Sequence, residues 1–247
     1  GVDWQQDEAT SSGVRDDFDV AGYYVQDTVD VQDNLHLTLG GRIDDHSAFG
    51  SETTYRASSV YDVTKTGTKV KGSWGTGFKA PSLFQLYSDS PFVHGNAALD
   101  PQTSEGWDVG FEQGVCDDSL GFGATYFDID YDDLISYVFG APGEPGTYKN
   151  SNKAESRGVE VFVLAHPHEH VDLRVDYTYL DNDDKSAGND FELRRPKDQV
   201  SATLSVQATD ALSVMLYGTY VGDRKDIFDV TVDEYYLFNL VAGYDVS

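Results

Sequence analysis

The densest group of potential metal ligands lies in an acidic segment, residues 181–190. It contains Asp181, Asp183, Asp184 and Asp190. Calcium ions bind about six to eight oxygen atoms, which clustered carboxylates and amides supply. The spacing differs from that of an EF-hand loop, which places a glycine and a final glutamate at set positions. The segment therefore predicts Ca²⁺ bound in a loop, and the alternative is a solvated turn rich in Asp and Asn.

Three histidines alternate along the chain at His166, His168 and His170. Alternate residues of a strand share one face, an arrangement that suits Zn²⁺ or Ni²⁺. Pro167 interrupts the group and favours a turn. We therefore predict a structural turn here, away from any ligand-binding surface.

Nucleophilic chemistry has no support in the sequence. There is no Gly-x-Ser-x-Gly segment, which would present a nucleophilic serine. The single cysteine, Cys116, can form no internal disulfide and has no second cysteine with which to hold a metal. We expect a protein that is not an enzyme.

Two polar segments, residues 80–102 and 134–153, are rich in aromatic side chains. Exposed aromatic residues on loops often contact ligands. The alternatives are packing of the loops against each other and packing at a membrane interface. The sequence predicts ligand contacts from Phe84, Tyr87, Phe92, His94, Tyr137 and Tyr148.

The elements that carry these loops have the two-residue period of strands. Several such segments are about 10 to 14 residues long, whereas strands of globular proteins average about 5 or 6. A strand that crosses a membrane at a tilt needs about 9 to 11 residues. We predict that one set of residues faces lipid: Leu173, Val175, Leu204, Val206, Val214 and Leu216. A second set should face the lumen: Arg174, Asp176, Thr203 and Ser213.

Short and long connections alternate between these segments. Short ones are expected near residues 31–34, 63–68, 115–119, 166–170 and 207–211, and long polar ones near 9–17, 44–53, 80–102, 134–153, 180–193 and 222–233. Barrels of the outer membrane have short turns on one side and long loops on the other. The pattern predicts an all-β fold, an antiparallel transmembrane barrel whose strands form a meander of about 12.

Composition excludes two other classes. A net charge of -26 leaves no basic surface for nucleic acid. The longest apolar runs are a few residues, whereas a spanning helix needs about 20. The 247 residues suffice for one large β domain, and 16 Tyr and 13 Phe suit strands and interfacial aromatic girdles. Gly1 opens no signal peptide, so we expect a mature or trimmed chain.

Five blocks of sequence resemble a known family. Residues 74–87 read WGTGFKAPSLFQLY, 95–101 read GNAALDP, 103–112 read TSEGWDVGFE, 152–160 read NKAESRGVE and 193–196 read LRRP. In this order they resemble the barrel domain of TonB-dependent outer-membrane receptors, and the block at residues 78–87 is most similar to vitamin B12 (cobalamin) receptors. The resemblance implies that Arg157, Glu160, Arg194 and Arg195 are lumen or rim residues that form ion pairs.

Such receptors have about 22 strands and a plugged lumen. The resemblance therefore implies that residues 1–247 are the C-terminal part of such a barrel, with the plug domain absent from this chain. It implies import of a scarce metal chelate, cobalamin first, across the bacterial outer membrane. The partners would be outer-membrane lipid, the chelate, and TonB acting through the plug. A siderophore or haem receptor of the same family is the alternative.

Two further alternatives remain at the level of sequence. One is a passive pore complete in about 12 strands. The other is a soluble β protein whose apolar faces form a core. The first and last strands distinguish them, because unpaired backbone in lipid costs several kcal/mol per group. A barrel fragment must therefore either close on itself or pair with further strands.

Overall fold

The structure is a computed structural model that describes residues 1–11, 14–117, 119–184, 193–226 and 230–246. The strands are β1 (Val2–Ser11), β2 (Val14–Gln32), β3 (Leu35–His46), β4 (Gly50–Val63), β5 (Thr68–Lys79), β6 (Val93–His94), β7 (Gln102–Val115), β8 (Leu120–Val138), β9 (Gly146–His168), β10 (Val171–Asp184), β11 (Asp198–Thr209), β12 (Leu212–Val221), β13 (Arg224–Asp226), β14 (Val230–Val232) and β15 (Tyr235–Tyr244), with one helix, α1 (Leu83–Tyr87). No helix among the described residues is long and apolar enough to cross a membrane.

Twelve of these strands form one sheet whose order follows the chain, β1-β2-β3-β4-β5-β7-β8-β9-β10-β11-β12-β15. Each neighbouring pair is antiparallel, from β1 with β2 to β12 with β15. The short β6 is the exception and pairs in parallel with β9. The predicted antiparallel meander of about 12 strands is confirmed.

The register across the sheet separates apolar from polar residues. Leu173, Leu204, Leu216 and Leu240 face one another in turn across β10, β11, β12 and β15. One residue along, Arg174 lies opposite Thr203. Because successive side chains of a strand point to opposite faces, the two predicted sets occupy opposite faces of the sheet, as expected.

No second layer of described residues packs on the apolar face. Leu240 is 70% exposed and Phe238 is 69% exposed. Among the described residues the buried apolar side chains are Phe18, Leu83, Leu86, Leu99, Ala154 and Val221. The alternative of a soluble protein with a core between apolar faces is therefore wrong. A broad uncovered apolar face suits lipid instead.

The sheet is open. β1 and β15 lie at opposite ends of its order, and no ladder joins them among the described residues. All ten residues of β15 are exposed. The fold is that of a partial barrel, and the closed twelve-stranded pore is not the structure described. Since unpaired backbone is costly in lipid, both edges call for further strands.

Several connections are shorter than the sequence predicts. Strand covers most of three segments that the sequence predicts as long loops, residues 9–17, 44–53 and 134–153. In the second of them, β3 runs to His46 and β4 already begins at Gly50. Asp44 pairs with Glu52 and Asp45 with Ser51 in that ladder. Backbone hydrogen bonds between neighbouring strands can continue beyond the membrane, where water surrounds both faces of the sheet. Polar residues in these segments therefore extend the strands. We call the end of the sheet that carries these predicted long connections the loop end, and the opposite end, with the short turns, the turn end.

Candidate ligand-binding site

A folded insert occupies the loop end between β5 and β7. We define it as residues 80–101, and it contains α1 and β6. Ser82 caps the start of the helix. Its hydroxyl accepts from the Gln85 N–H at 3.3 Å, and the Gln85 side chain accepts from the Ser82 N–H at 2.9 Å. This reciprocal capping satisfies two amides that a helix start leaves free. Leu83 and Leu86, both in this helix, are buried.

The insert reaches across the barrel mouth. It leaves the sheet at β5, yet α1 contacts β1 and β2, which lie beyond β4 and β3 in the sheet order. Pro81 is fully buried and Leu99 is only 3% exposed. These apolar anchors explain why a short helix persists here, since isolated helices of this length are unstable in water.

Gly95 lets the insert close on itself. Its N–H donates to the Ser88 carbonyl at 2.6 Å. A Cβ at Gly95 would lie 2.5 Å from the Leu86 carbonyl oxygen, a distance that no side chain accepts. The next residue, Asn96, donates its backbone N–H to the Gln85 carbonyl at 2.9 Å. The chain after α1 is therefore held directly against the end of the helix.

The insert is bound to the tip of the β8–β9 hairpin, residues 134–150. In β6, Val93 pairs with Gly146 and His94 with Thr147. The Asn96 side chain donates to the Tyr148 carbonyl at 3.0 Å. The two segments therefore form one unit, which we call the mouth unit.

Asn150, in β9, links the insert to both strands of the β8–β9 hairpin. Its amide NH₂ donates to the carbonyls of Asp100 at 2.8 Å and Asp133 at 2.7 Å. Its carbonyl oxygen accepts from the Asp100 N–H at 2.9 Å. Sequence reasoning missed both Asn150 and Asn96. The available signal was an asparagine within each of the two aromatic segments, because an asparagine amide can both donate to and accept from free backbone groups.

The predicted aromatic residues gather in the mouth unit. The Tyr148 ring lies 6.3 Å from Phe84 and 5.5 Å from Tyr137, both edge-on. The Tyr137 hydroxyl donates to the Phe92 carbonyl at 3.0 Å. Edge-to-face contacts are favourable for aromatic pairs. Part of the predicted set therefore packs loop against loop, which was the alternative reading for these residues.

Four members of the set are still exposed to solvent. Phe92 is 77% exposed, Phe84 57% and Tyr87 37%. His94 is also exposed, with its Nε2 atom 3.2 Å from an Asp89 carboxylate oxygen. An exposed apolar surface on a rigid support is suited to holding a large ligand. Ligand contact by these residues stays a prediction.

The polar face beneath the mouth unit is lined by paired charges. Arg42 donates to both Asp3 and Asp44, with its closest contact to Asp44 at 2.6 Å. Lys71 lies 2.8 Å from Glu112. A cavity of about 570 Å³ on this face is lined by Arg56, Lys71, Asp108 and Glu160, among others. This surface is hydrophilic and able to hydrogen-bond a polar ligand or another polypeptide.

Asp181, Asp183 and Asp184, three of the four predicted calcium ligands, lie at the loop end of β10, beyond the apolar residues of that strand. Asp181 accepts from Lys197 at 3.2 Å and from Arg157 at 3.1 Å. Lys197 and then Arg157 hold the pKa of Asp181 below its usual value. Asp183 pairs across the ladder with Glu155.

These residues do not fit a calcium site as they stand. Both Asp181 oxygens already face cationic groups. Within the described ranges, no group of three or more His, Cys, Asp or Glu residues could hold a metal ion. The side chain of Asp184 and all of Asp190 lie outside the described residues. The calcium prediction therefore depends on those two residues.

The histidine segment lies at the turn end, opposite the mouth unit. β9 continues to His168 and β10 begins at Val171, with a register shift beside Pro167. A proline in a ladder removes one donor and is accommodated at such irregularities. His166 contacts Asp172 across the turn through its Nδ1 atom. The prediction of a structural turn agrees with this placement.

Two arginines of the resemblance form ion pairs. Arg157 pairs with Glu155 at 3.2 Å as well as with Asp181. Arg194 pairs with Asp226 at 2.7 Å. Both arginines therefore lie at the rim, where they tie neighbouring segments together.

Comparison with known proteins adds a family match over the whole chain. The family described as TonB dependent receptor-like, beta-barrel, matches residues 1–247. The chain is 30% identical over 259 residues to the vitamin B12 transporter BtuB of Vibrio vulnificus, covering 100% of this chain and 40% of BtuB. It is also 30% identical over 274 residues to the ferric enterobactin receptor PirA of Pseudomonas aeruginosa, covering 97% of this chain and 36% of PirA.

Solved structures agree with the fold. The crystal structure of the siderophore receptor PirA from Pseudomonas aeruginosa matches with a TM-score of 0.79 at 26% identity, covering 100% of this chain and 44% of that one. The siderophore receptor PirA from Acinetobacter baumannii matches with a TM-score of 0.81 at 21% identity, covering 97% and 41%. The second likeness concerns the fold alone. The chain spans about 40% of the length of BtuB.

Proposed function

Because this chain belongs to the TonB dependent receptor-like β-barrel family, whose members are transport proteins of the bacterial outer membrane and not enzymes, we propose that it forms the loop-bearing part of a receptor that imports a scarce metal chelate. The observation that carries the proposal is the mouth unit. Two segments 50 residues apart are joined through Asp100 and Asn150. Together they present exposed aromatic side chains at the opening of the barrel.

The substrate we propose first is cobalamin, and a ferric siderophore is the second candidate. Relatives of equal identity are named for each, a vitamin B12 transporter and a ferric enterobactin receptor. The chain carries 43 Asp and Glu against 17 Lys and Arg. An acidic chain repels a strongly anionic chelate at long range and tolerates a neutral or cationic one. Charge therefore favours cobalamin.

In this proposal each region of the chain has a distinct task. The mouth unit captures the chelate, because its aromatic side chains are held on a docked and capped insert. The polar face below offers a hydrated surface lined by residues such as Arg56 and Glu160. The apolar face rests in outer-membrane lipid. TonB would supply energy through a plug domain, which would lie against the polar face.

The test is ligand binding by the full-length receptor after removal of each half of the mouth unit. One variant replaces residues 83–99 with a short Gly-Ser linker, and a second shortens residues 139–145. The control is His168→Ala, at the turn end. Affinities for cobalamin and for ferric enterobactin are measured by titration calorimetry. We expect each deletion to weaken the transported chelate at least about tenfold and the control to leave it unchanged.

The two ligands separate the candidates. Loss of cobalamin binding alone supports a vitamin B12 receptor, and loss of ferric enterobactin binding alone supports a siderophore receptor. Unchanged affinity for both ligands in both deletion variants would defeat the assignment of the mouth unit as the binding site.

A further inference from the structure

A second cavity lies at the loop end, away from the mouth unit. It has a volume of about 380 Å³ and is formed where β10 and β12 end and β13 begins. Four cationic side chains line it: Arg195, Lys197, Arg224 and Lys225. The whole chain has only 17 Lys and Arg against 43 Asp and Glu. Two carboxylates, Asp198 and Asp223, line it as well, and Lys197 also contacts Asp181 at 3.2 Å. The cationic side chains still outnumber the carboxylates of the lining, in a chain that is acidic overall.

The walls of this cavity are fixed by backbone hydrogen bonds. The Leu180 N–H donates to the Lys197 carbonyl at 2.8 Å, and the Gly222 N–H donates to the Asp198 carbonyl at 2.9 Å. The Arg194 N–H donates to the Lys225 carbonyl at 2.7 Å. These bonds connect the ends of β10, β11 and β12 to β13. The cavity is thus part of the fold and needs no ligand to assemble it.

Two buried polar atoms on its walls have no hydrogen-bond partner. Asn182 is 7% exposed, and its Oδ1 atom is unpaired. The Nη1 atom of Arg224 is likewise buried and unpaired, while the guanidinium is held over the Tyr235 ring at 5.7 Å. Buried polar groups are nearly always satisfied, so each exception calls for a partner. The missing partners are an acceptor for Arg224 and a donor for Asn182.

We propose that this cavity binds a phosphorylated sugar. The phosphate oxygens accept from Arg224 and are neutralised by the neighbouring cationic groups. A sugar hydroxyl donates to Asn182. Two carboxylates, Asp198 and Asp223, also line the cavity. They would disfavour a bare anion, but they are strong acceptors for further hydroxyls, which explains their place among the cations.

The cavity size agrees with one sugar unit and its phosphate. Binding cavities for small molecules start at about 300 Å³. The same chemistry has two sources, a free sugar phosphate and the phosphorylated sugar headgroup of a membrane lipid. The inference uses no residue of the mouth unit, so it stands or fails separately from the imported chelate.

The experiment uses the full-length receptor in phosphatidylcholine nanodiscs. Glucose 6-phosphate, glucose and inorganic phosphate are titrated by calorimetry. The variants are Arg224→Gln and Asn182→Ala, and the control is Lys65→Gln, which removes one positive charge from an exposed turn at the other end of the sheet. We expect glucose 6-phosphate to bind more tightly than either part alone. Each cavity variant should weaken it about tenfold or more, and the control should not.

A second set of nanodiscs contains a lipid with a phosphorylated glucosamine disaccharide headgroup. Reduced affinity for glucose 6-phosphate in these discs identifies the lipid as an occupant, and unchanged affinity identifies the free sugar phosphate. If Arg224→Gln fails to fold, Asn182→Ala and the rise in the wild-type unfolding midpoint with glucose 6-phosphate decide the matter. Three outcomes would overturn the proposal. They are no binding of glucose 6-phosphate in either set of nanodiscs, an equal loss of affinity in the Lys65→Gln control, and inorganic phosphate that binds as tightly as glucose 6-phosphate with an affinity unchanged by Asn182→Ala.

Discussion

The long strands and the mouth unit are stabilised in different ways. Along the strands, Leu204 and Leu216 face each other on the apolar face, where Leu216 is 42% exposed and no other described element packs against them. In the insert, by contrast, Leu83, Leu86 and Leu99 are buried. The strands depend on their backbone ladder and on lipid as the second apolar layer, whereas the insert contains a small core of its own. A substitution should therefore act through the surrounding lipid in the first region and through internal contacts in the second.

The strongest test of this contrast is a charge on the lipid-facing side of β10. Val175 lies between Val163 and Ala202 on that face. We expect Val175→Arg to lower the free energy of unfolding by about 2 to 4 kcal/mol near the bilayer midplane, since the cation loses its hydration. Thr203→Arg, on the polar face, should cost much less. Urea unfolding of both variants in lipid vesicles measures the difference, and a neutral Val175→Arg would show that the faces are assigned the wrong way round.

We expect Gly95→Ala to disrupt the insert and to leave the sheet intact. The added Cβ would lie 2.5 Å from the Leu86 carbonyl oxygen, so the chain after α1 must move. Overpacking of this kind costs about 1 to 3 kcal/mol. Hydrogen exchange should rise across residues 80–101 and stay unchanged in the sheet. The matched control is Gly121→Ala in β8, where the nearest atom to a Cβ is 3.8 Å away; equal exchange in both variants would contradict the close approach.

Removal of the Asn150 amide should loosen the mouth unit more mildly. Asn150→Ala deletes three hydrogen bonds to Asp100 and Asp133. The expected loss is about 1 to 2 kcal/mol of local stability, because water can satisfy part of the freed backbone. Limited proteolysis of the insert reports this opening. Asn239→Ala, in the exposed β15, is the control, and cleavage of both proteins at the same rate would show that Asn150 joins nothing.

The smallest expected effect concerns the rim ion pairs of Asp181. Its pKa is lowered in the folded protein by Lys197 and Arg157. A lowered carboxylate pKa contributes stability above the unfolded value of 3.8, and that contribution is lost as pH falls through the folded pKa. Asp181→Asn should cost less than about 1 kcal/mol at neutral pH, since the pair is partly exposed. The difference in unfolding free energy between Asp181→Asn and wild type should disappear in acid. A difference that stays constant with pH would refute the ion pairs.

Particular residues show how far sequence reasoning reached. The faces of Leu173 and Arg174 follow from a two-residue period, and the structure agrees. The aromatic residues Phe84 and Tyr148 were identified as a group, but their mutual packing was only one of two alternatives. For Asp181 the sequence predicts a role as calcium ligand, which stays a prediction, but its ion pairs with Lys197 and Arg157 could not be foreseen. A carboxylate's partners depend on which segments fold beside it, which spacing along the chain does not reveal.

Strand order, the alternation of faces and the family could all be predicted from the sequence, because each depends on local periodicity or on contiguous blocks of residues. The docking of the insert, the extension of strands past the apolar band and the cavity lined by Asn182 and Arg224 follow from the three-dimensional fold alone. The reason is distance along the chain. Asp100 and Asn150 are 50 residues apart, and contacts of that separation arise from the three-dimensional path of the barrel, which brings both loops to one rim.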